Sequence, residues 1–355
     1  MGDKTQKMAG WVAAVMDWFA REPQVANAQE TSARRSLWRR GGIVLLILLL
    51  LLSAVSWYWS RTPDVLWINE TTPANSRVVG FSTADTVVQI VGTVLDKPGG
   101  YLTNDVMPPG VILDNIPNWE RGAMLQVKDV ASALRNHYSR SQSQSAEDPD
   151  LVKAEPEFYF NAYRWILPTT ESHYRKGAEF VASYRDRLAD QNSQDAQFYA
   201  RADNLREWLV VVEKRLGSFS QKLGASVGES RVNTDLAGDP SAQNSTPRPQ
   251  NISEQTPWLK IDDRFFEARG YVWALIACLR AAEFDFSGVL EKKNAEVSVR
   301  QIIRELEASL EPLNSPIVLN GSGYGMFANH SLVMASYLSR ANAGVINLRE
   351  LLDQG

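Results

Sequence analysis

One cysteine and three histidines are all the chain offers among 355 residues, and that scarcity removes whole classes of chemistry. A single thiol forms no disulfide within the chain, so a disulfide scaffold is excluded. Cys278 sits in the apolar run YVWALIACLRAA, which reads as a small buried hydrophobe rather than a reactive thiol. His137, His173 and His330 lie far apart, and none has a neighbour at metal-ligand spacing. No G-x-S-x-G, P-loop or H-E-x-x-H is present. The GSGYG stretch at 321 to 325 lacks the lysine and the preceding strand of a phosphate loop, and reads as a hinge between helices. No cofactor is expected. Basic excess is missing too: the net charge of -4 argues against nucleic acid as a partner.

The absence of charge from 41 to 60 is the most informative feature. That segment, GGIVLLILLLLLSAVSWYWS, follows seven basic and four acidic residues and precedes thirty basic and thirty-seven acidic ones. At about 1.5 Å per residue, twenty helical residues cover roughly 30 Å, the thickness of the hydrocarbon layer. A transmembrane helix over 41–60 follows, with Trp38, Arg39 and Arg40 at one interface and Trp57, Tyr58 and Trp59 at the other. Four arginines (34, 35, 39 and 40) precede the span, and only Arg61 follows closely. The positive-inside bias therefore keeps residues 1–40 in the cytoplasm and exports everything after the span, into the periplasm if the cell is a Gram-negative bacterium. The forty-residue leader favours an uncleaved signal anchor.

Residues 8–20 place Trp11, Val15, Trp18 and Phe19 on one face of a short amphipathic helix, followed by a polar linker over 21–36. Residues 61–80 carry turn-formers without period and read as a tether. From 81 to 355 the signals are those of a mainly α domain. A helix capped by Ser82 or Thr83 runs to Lys97 and is stopped by Pro98-Gly99-Gly100. Asn118 caps the next, with Ala123, Val127, Val130, Leu134 and His137 as its stripe. Phe198, Ala202, Leu205, Leu209, Val212, Leu216, Phe219 and Leu223 form a heptad seam. Tyr174, Gly177, Val181, Tyr184 and Leu188 repeat the rule upstream, so the two stripes are expected to close an antiparallel helical hairpin. Residues 224–257, nearly devoid of large apolar side chains, read as a flexible polar insert. Further helices are expected from 270 to 279, around Val299 to Leu310, and from 332 to 341.

Two stretches carry candidate recognition residues. The loop 99–117 holds Tyr101, Val106, Met107, Val111 and Leu113, too many apolar groups to leave in water. It is expected to pack on the helical body or to dock a partner. The segment EFYFNAYRW supplies Tyr159, Tyr163 and Trp165 beside Arg164, fit for a groove or for core. The function expected is a non-catalytic envelope scaffold whose partners are the bilayer and an envelope protein. The rival is a peptidoglycan-active enzyme using carboxylates such as Glu120 and Glu171 in an aromatic groove, chemistry that depends on their separation. A third reading is a lipid or hydrophobic ligand held between helices.

The run GGYLTNDVMPPGVILDNIPNWERG (99–122), the membrane helix before it and the closing YLSRANAGVINLRELL (337–352) resemble an uncharacterised family of proteobacterial single-pass inner-membrane proteins. The resemblance implies an inner-membrane location and no activity.

Overall fold

The computed structural model describes residues 28–66, 78–141, 145–190, 195–232, 251–315 and 317–354. The amphipathic segment 8–20 lies outside them. Helix α1 is Ala28–Trp59, so the apolar run continues a helix that begins within the segment expected to be a linker. Trp38–Trp59 is long and apolar enough to cross a membrane, and the side chains of its apolar stretch are exposed. The chain divides into two compact units, 1–55 and 56–355.

In the second unit, α2 (Phe81–Asp96), α3 (Asn115–Ala133), α4 (Pro149–Phe158), α5 (Thr170–Ala189), α6 (Ala202–Gly224), α7 (Ile261–Asp285), α8 (Ser287–Lys292), α9 (Glu296–Ser309) and α10 (His330–Asp353) enclose one core. At its centre α3 and α7 run parallel. Asn118 donates to Asp263 at their N-terminal ends (2.7 Å), and Tyr138 meets Phe286 at the other end with ring centroids 5.2 Å apart. Their backbones touch through glycine. A methyl at Gly122 would stand 1.9 Å from the Glu267 carbonyl oxygen, and one at Gly270 would stand 1.8 Å from that of Trp119. Trp119 and Trp273 pack beside this crossing with their rings tilted by 56°, their centroids 4.9 Å apart.

Several sequence expectations are corrected. Both apolar stripes are buried, but α5 packs chiefly on α2 and α4, and α6 chiefly on α10. A heptad stripe specifies that a face is buried, not which helix covers it. The connection from α5 to α6 is longer than a hairpin turn. Its described part is pinned by Tyr199 N–H to the Tyr138 carbonyl (2.7 Å) and by Tyr184 Oη to the Gln197 carbonyl (2.7 Å), and Phe198 lies before α6 starts. The antiparallel hairpin found here is α4 with α5, closed by Arg187 to Asp148 at 2.7 Å and Ser183 to Asp150 at 2.8 Å.

Helix α2 begins at Phe81 after Gly80, whose φ of 92° suits glycine and whose missing side chain makes room for Phe198. Thr83 is not the cap. Its N–H and hydroxyl instead donate to Asp285 at 2.7 and 2.6 Å, so α7 caps α2 from outside. Helix α3 starts three residues before Asn118, which bonds back to the Asp114 carbonyl at 2.9 Å. A π turn over Leu134–Tyr138 adds a residue to the last turn, which rotates the stripe and buries Tyr138 in place of His137. The polar insert also has order at its ends: α6 runs through Gly224, and strands β1 (Glu229–Val232) and β2 (Asn251–Glu254) pair antiparallel. Backbone pairing of this kind requires no apolar side chains, so composition did not reveal it. The expected short final helix is instead a full α10, with the closing motif inside it.

The tether is fastened where it is described. Trp273 Nε1 donates to the Asp64 carbonyl and Arg280 to the Leu66 carbonyl, both at 2.8 Å, while Val65 and Leu66 pack on the core. Both donors belong to α7, the central helix.

Candidate interaction surface

The loop after α2 is built around a buried ion pair. Proline and two glycines with positive φ (88° and 71°) turn the chain at 98–100, and Lys97 then points inward to pair with Glu120, both side chains almost wholly buried. Glu120 also accepts from Leu102 N–H (2.8 Å), Thr103 N–H (2.8 Å) and Thr103 Oγ1 (2.5 Å). Lys97 in turn donates to the Gly100 carbonyl. Burial pushes the Glu120 carboxyl above the usual carboxylate range, with Lys97 and these donors opposing it. So many donors leave no free oxygen directed at a substrate, and Glu120 serves as the latch of the loop. Tyr101 lies edge-on to Tyr174 (5.6 Å), and Leu102 and Ile116 are buried with it.

The next residue ties this loop to a second one. Asn104 Nδ2 donates to the Arg164 carbonyl and to Glu171 Oε2, both at 2.9 Å. Thr170, fully buried at the start of α5, donates to the Asn161 carbonyl (2.8 Å) and receives Arg164 N–H (3.2 Å). Loops 101–114 and 159–169 are therefore one fastened structure. Asp105 folds its own turn, accepting from Met107 N–H at 3.1 Å under Gly110, where a methyl would strike its carboxylate.

The sequence candidates divide on this frame. Tyr101 is core and Leu113 is half-buried, whereas Val106, Met107 and Val111 are exposed, Met107 by 69%. The loop thus buries one row of apolar side chains and offers another to its surroundings. Tyr163 and Trp165 are exposed, and Ile166 and Leu167, which the sequence reading did not single out, are exposed beside them. Tyr159 is exposed elsewhere, under Lys128, whose Nζ lies 5.5 Å from the ring centre. Trp38, Arg39, Arg40, Trp57 and Tyr58 are exposed on α1, and Trp59 is partly covered where it meets Gly99.

The carboxylate pair proposed for catalysis is split in role: Glu120 is the loop's latch, and Glu171 orients Asn104. His173 pairs with Glu157 and stacks on Phe160 at 3.6 Å, a local structural contact at the α4–α5 hairpin. Burial pushes the Cys278 thiol up to about 12, consistent with an inert core position. Two surface concavities are open and mixed in character. One, about 550 Å³, is walled by Glu179, Ser183, Asp186 and Arg187; the other, about 480 Å³, lies between Arg61–Asp64 and the end of α2.

A second exposed apolar group lies on loops tied in the same manner. Asn320 Nδ2 donates to the Ser226 carbonyl (2.9 Å), and Thr256 N–H donates to that of Ala225 (2.9 Å). Trp258, Leu259, Tyr324, Met326 and Phe327 are the exposed side chains there. The signal for this group was present in the sequence, but its segments lie 65 residues apart and each alone resembles an ordinary loop.

No curated protein and no solved structure matches the chain. One family profile does, described as an uncharacterized protein conserved in bacteria, and it covers residues 31–355. The match takes in the apolar helix, the latched loop, both exposed apolar groups and the closing helix, and the chain belongs to that bacterial family, DUF2333.

Proposed function

We propose that this is a single-pass inner-membrane protein whose helical domain is exported to the periplasm and acts by interaction rather than by catalysis. The interaction surface is the exposed apolar row of the paired loops, and its partners are the bilayer and an envelope protein. The observation that carries this reading is the construction of the surface. A buried ion pair, three further donors to Glu120 and the Asn104 bridge hold the two loops while Met107, Val111, Trp165 and Leu167 remain exposed. Rigid exposed apolar groups are the usual mark of a recognition surface. The arginine asymmetry around the span supports the orientation.

In-cell photo-crosslinking tests the reading. A photoreactive residue replacing Met107 or Trp165 is expected to give a discrete adduct, protein or lipid, that the same residue at Lys292 on α8 does not give. Equal, diffuse labelling at all three positions would refute it.

A further inference from the structure

The two exposed apolar groups lie at one end of the helical unit. Helices α3 and α7 are parallel, so their N-termini share that end. The N-terminus of α5 joins them through Asn104 and Glu171, and that of α10 through His330, whose ring lies 6.4 Å from Phe265. The C-terminus of α2 arrives there through Lys97 and Glu120. Every loop that exposes Met107, Ile112, Leu167, Trp258, Tyr324 or Met326 closes or opens one of these helix ends.

The chain leaves its apolar helix at the same end. Within unit 56–355, the Trp59 ring lies against Gly99, where a methyl would stand 2.8 Å from it. Only Ser60 to Pro63 separate α1 from Asp64, which is already strapped to Trp273. Four residues reach about 13 Å at most, which limits how far the Asp64 attachment on α7 lies from Trp59. The exposed residues lie on loops and short helical turns between the long helices. They mix aromatic and aliphatic side chains with exposed cations, Arg164 in one group and Lys260 in the other. That composition suits the headgroup and upper acyl region of a bilayer.

Resting on the anchoring proposed above, we propose that these loop tips dip into the outer leaflet of the membrane that the chain itself spans, seating the domain on the lipid surface by its span-proximal end. The occupant is phospholipid. A second copy or another protein is the alternative that the experiment separates.

The test uses the full chain, with Cys278→Ala as background, in vesicles of phosphatidylethanolamine and phosphatidylglycerol. An environment-sensitive fluorophore is placed by Leu167→Cys, Met326→Cys, Val44→Cys in the span or Lys292→Cys in α8. Lipids carrying a nitroxide near the top of the acyl chain should quench the probes at 44, 167 and 326 at least twofold and leave 292 unchanged. If 44 is quenched but 167 and 326 behave like 292, the seating is wrong and the anchoring stands. If 44 is not quenched, the anchoring fails and the seating with it. Probes at 167 and 326 that are shielded from aqueous iodide yet untouched by the nitroxide lipid would assign the surface to protein and overturn the proposal.

Discussion

Glu120 and Lys97 show how one residue position can change meaning between sequence and structure. In the sequence Glu120 is one carboxylate among 41 acidic residues, and nothing in its neighbours announces a partner 23 positions away. In the fold it gathers the backbone of the following loop. Removing one member strands a buried charge, so Lys97→Met or Glu120→Gln alone is expected to cost about 3 to 5 kcal/mol. The double variant should recover a good part of that loss, measured by thermal unfolding of the full chain in detergent. Asp285 offers a second test at this scale. Burial pushes its carboxyl from 3.8 up to about 6, against the Thr83 donors that favour the charged form. A carboxyl raised in the folded state binds its proton more tightly there. Its contribution is therefore fully present below about pH 4 and is lost as pH rises through about 6, by at most roughly 3 kcal/mol. Asp285→Asn removes the titration, so its melting temperature relative to the parent should improve between pH 4 and pH 7. A difference that stays flat over that range would contradict the assignment.

At the scale of elements, the helical character and the buried stripes could be read from periodicity, because burial imposes a repeat on the sequence, and the apolar helix from its uncharged run. Which stripe faces which could not, since α5 and α6 carry the same spacing and still choose different neighbours. The glycine contact of α3 and α7 was equally silent: Gly122 and Gly270 look like ordinary helix interruptions until the opposing carbonyls are known. Gly122→Ala should therefore destabilise by about 2 kcal/mol or more, read as a fall in melting temperature on the order of 5 °C. An unchanged melting temperature would mean that the two helices do not touch there. The segment 101–117, the loop and the first turn of α3, makes a graded prediction. Ile116→Ala, in the core, should cost about 2 to 5 kcal/mol, and Val111→Ser, exposed, no more than about 0.5 kcal/mol. The sequence showed that this loop held too much apolar surface for water, but not that one row would be buried and the other left out. That division follows from the Asp105 turn and the Asn104 bridge, which are contacts and not composition.

For the whole molecule, the strap from Asp64 to Leu66 matters most, because it fastens the described first part of the expected tether to α7. Residues 64–66 are thereby part of the helical unit, the same unit that carries the exposed loops. The central claim is that this helix spans the inner membrane once, leaving the N-terminus in the cytoplasm and the helical domain outside. Alkaline phosphatase fused at residue 20 and at the C-terminus tests it directly, since the enzyme is active only after export. The account predicts activity at the C-terminal fusion and none at residue 20; activity at residue 20, or silence at the C-terminus, would contradict it.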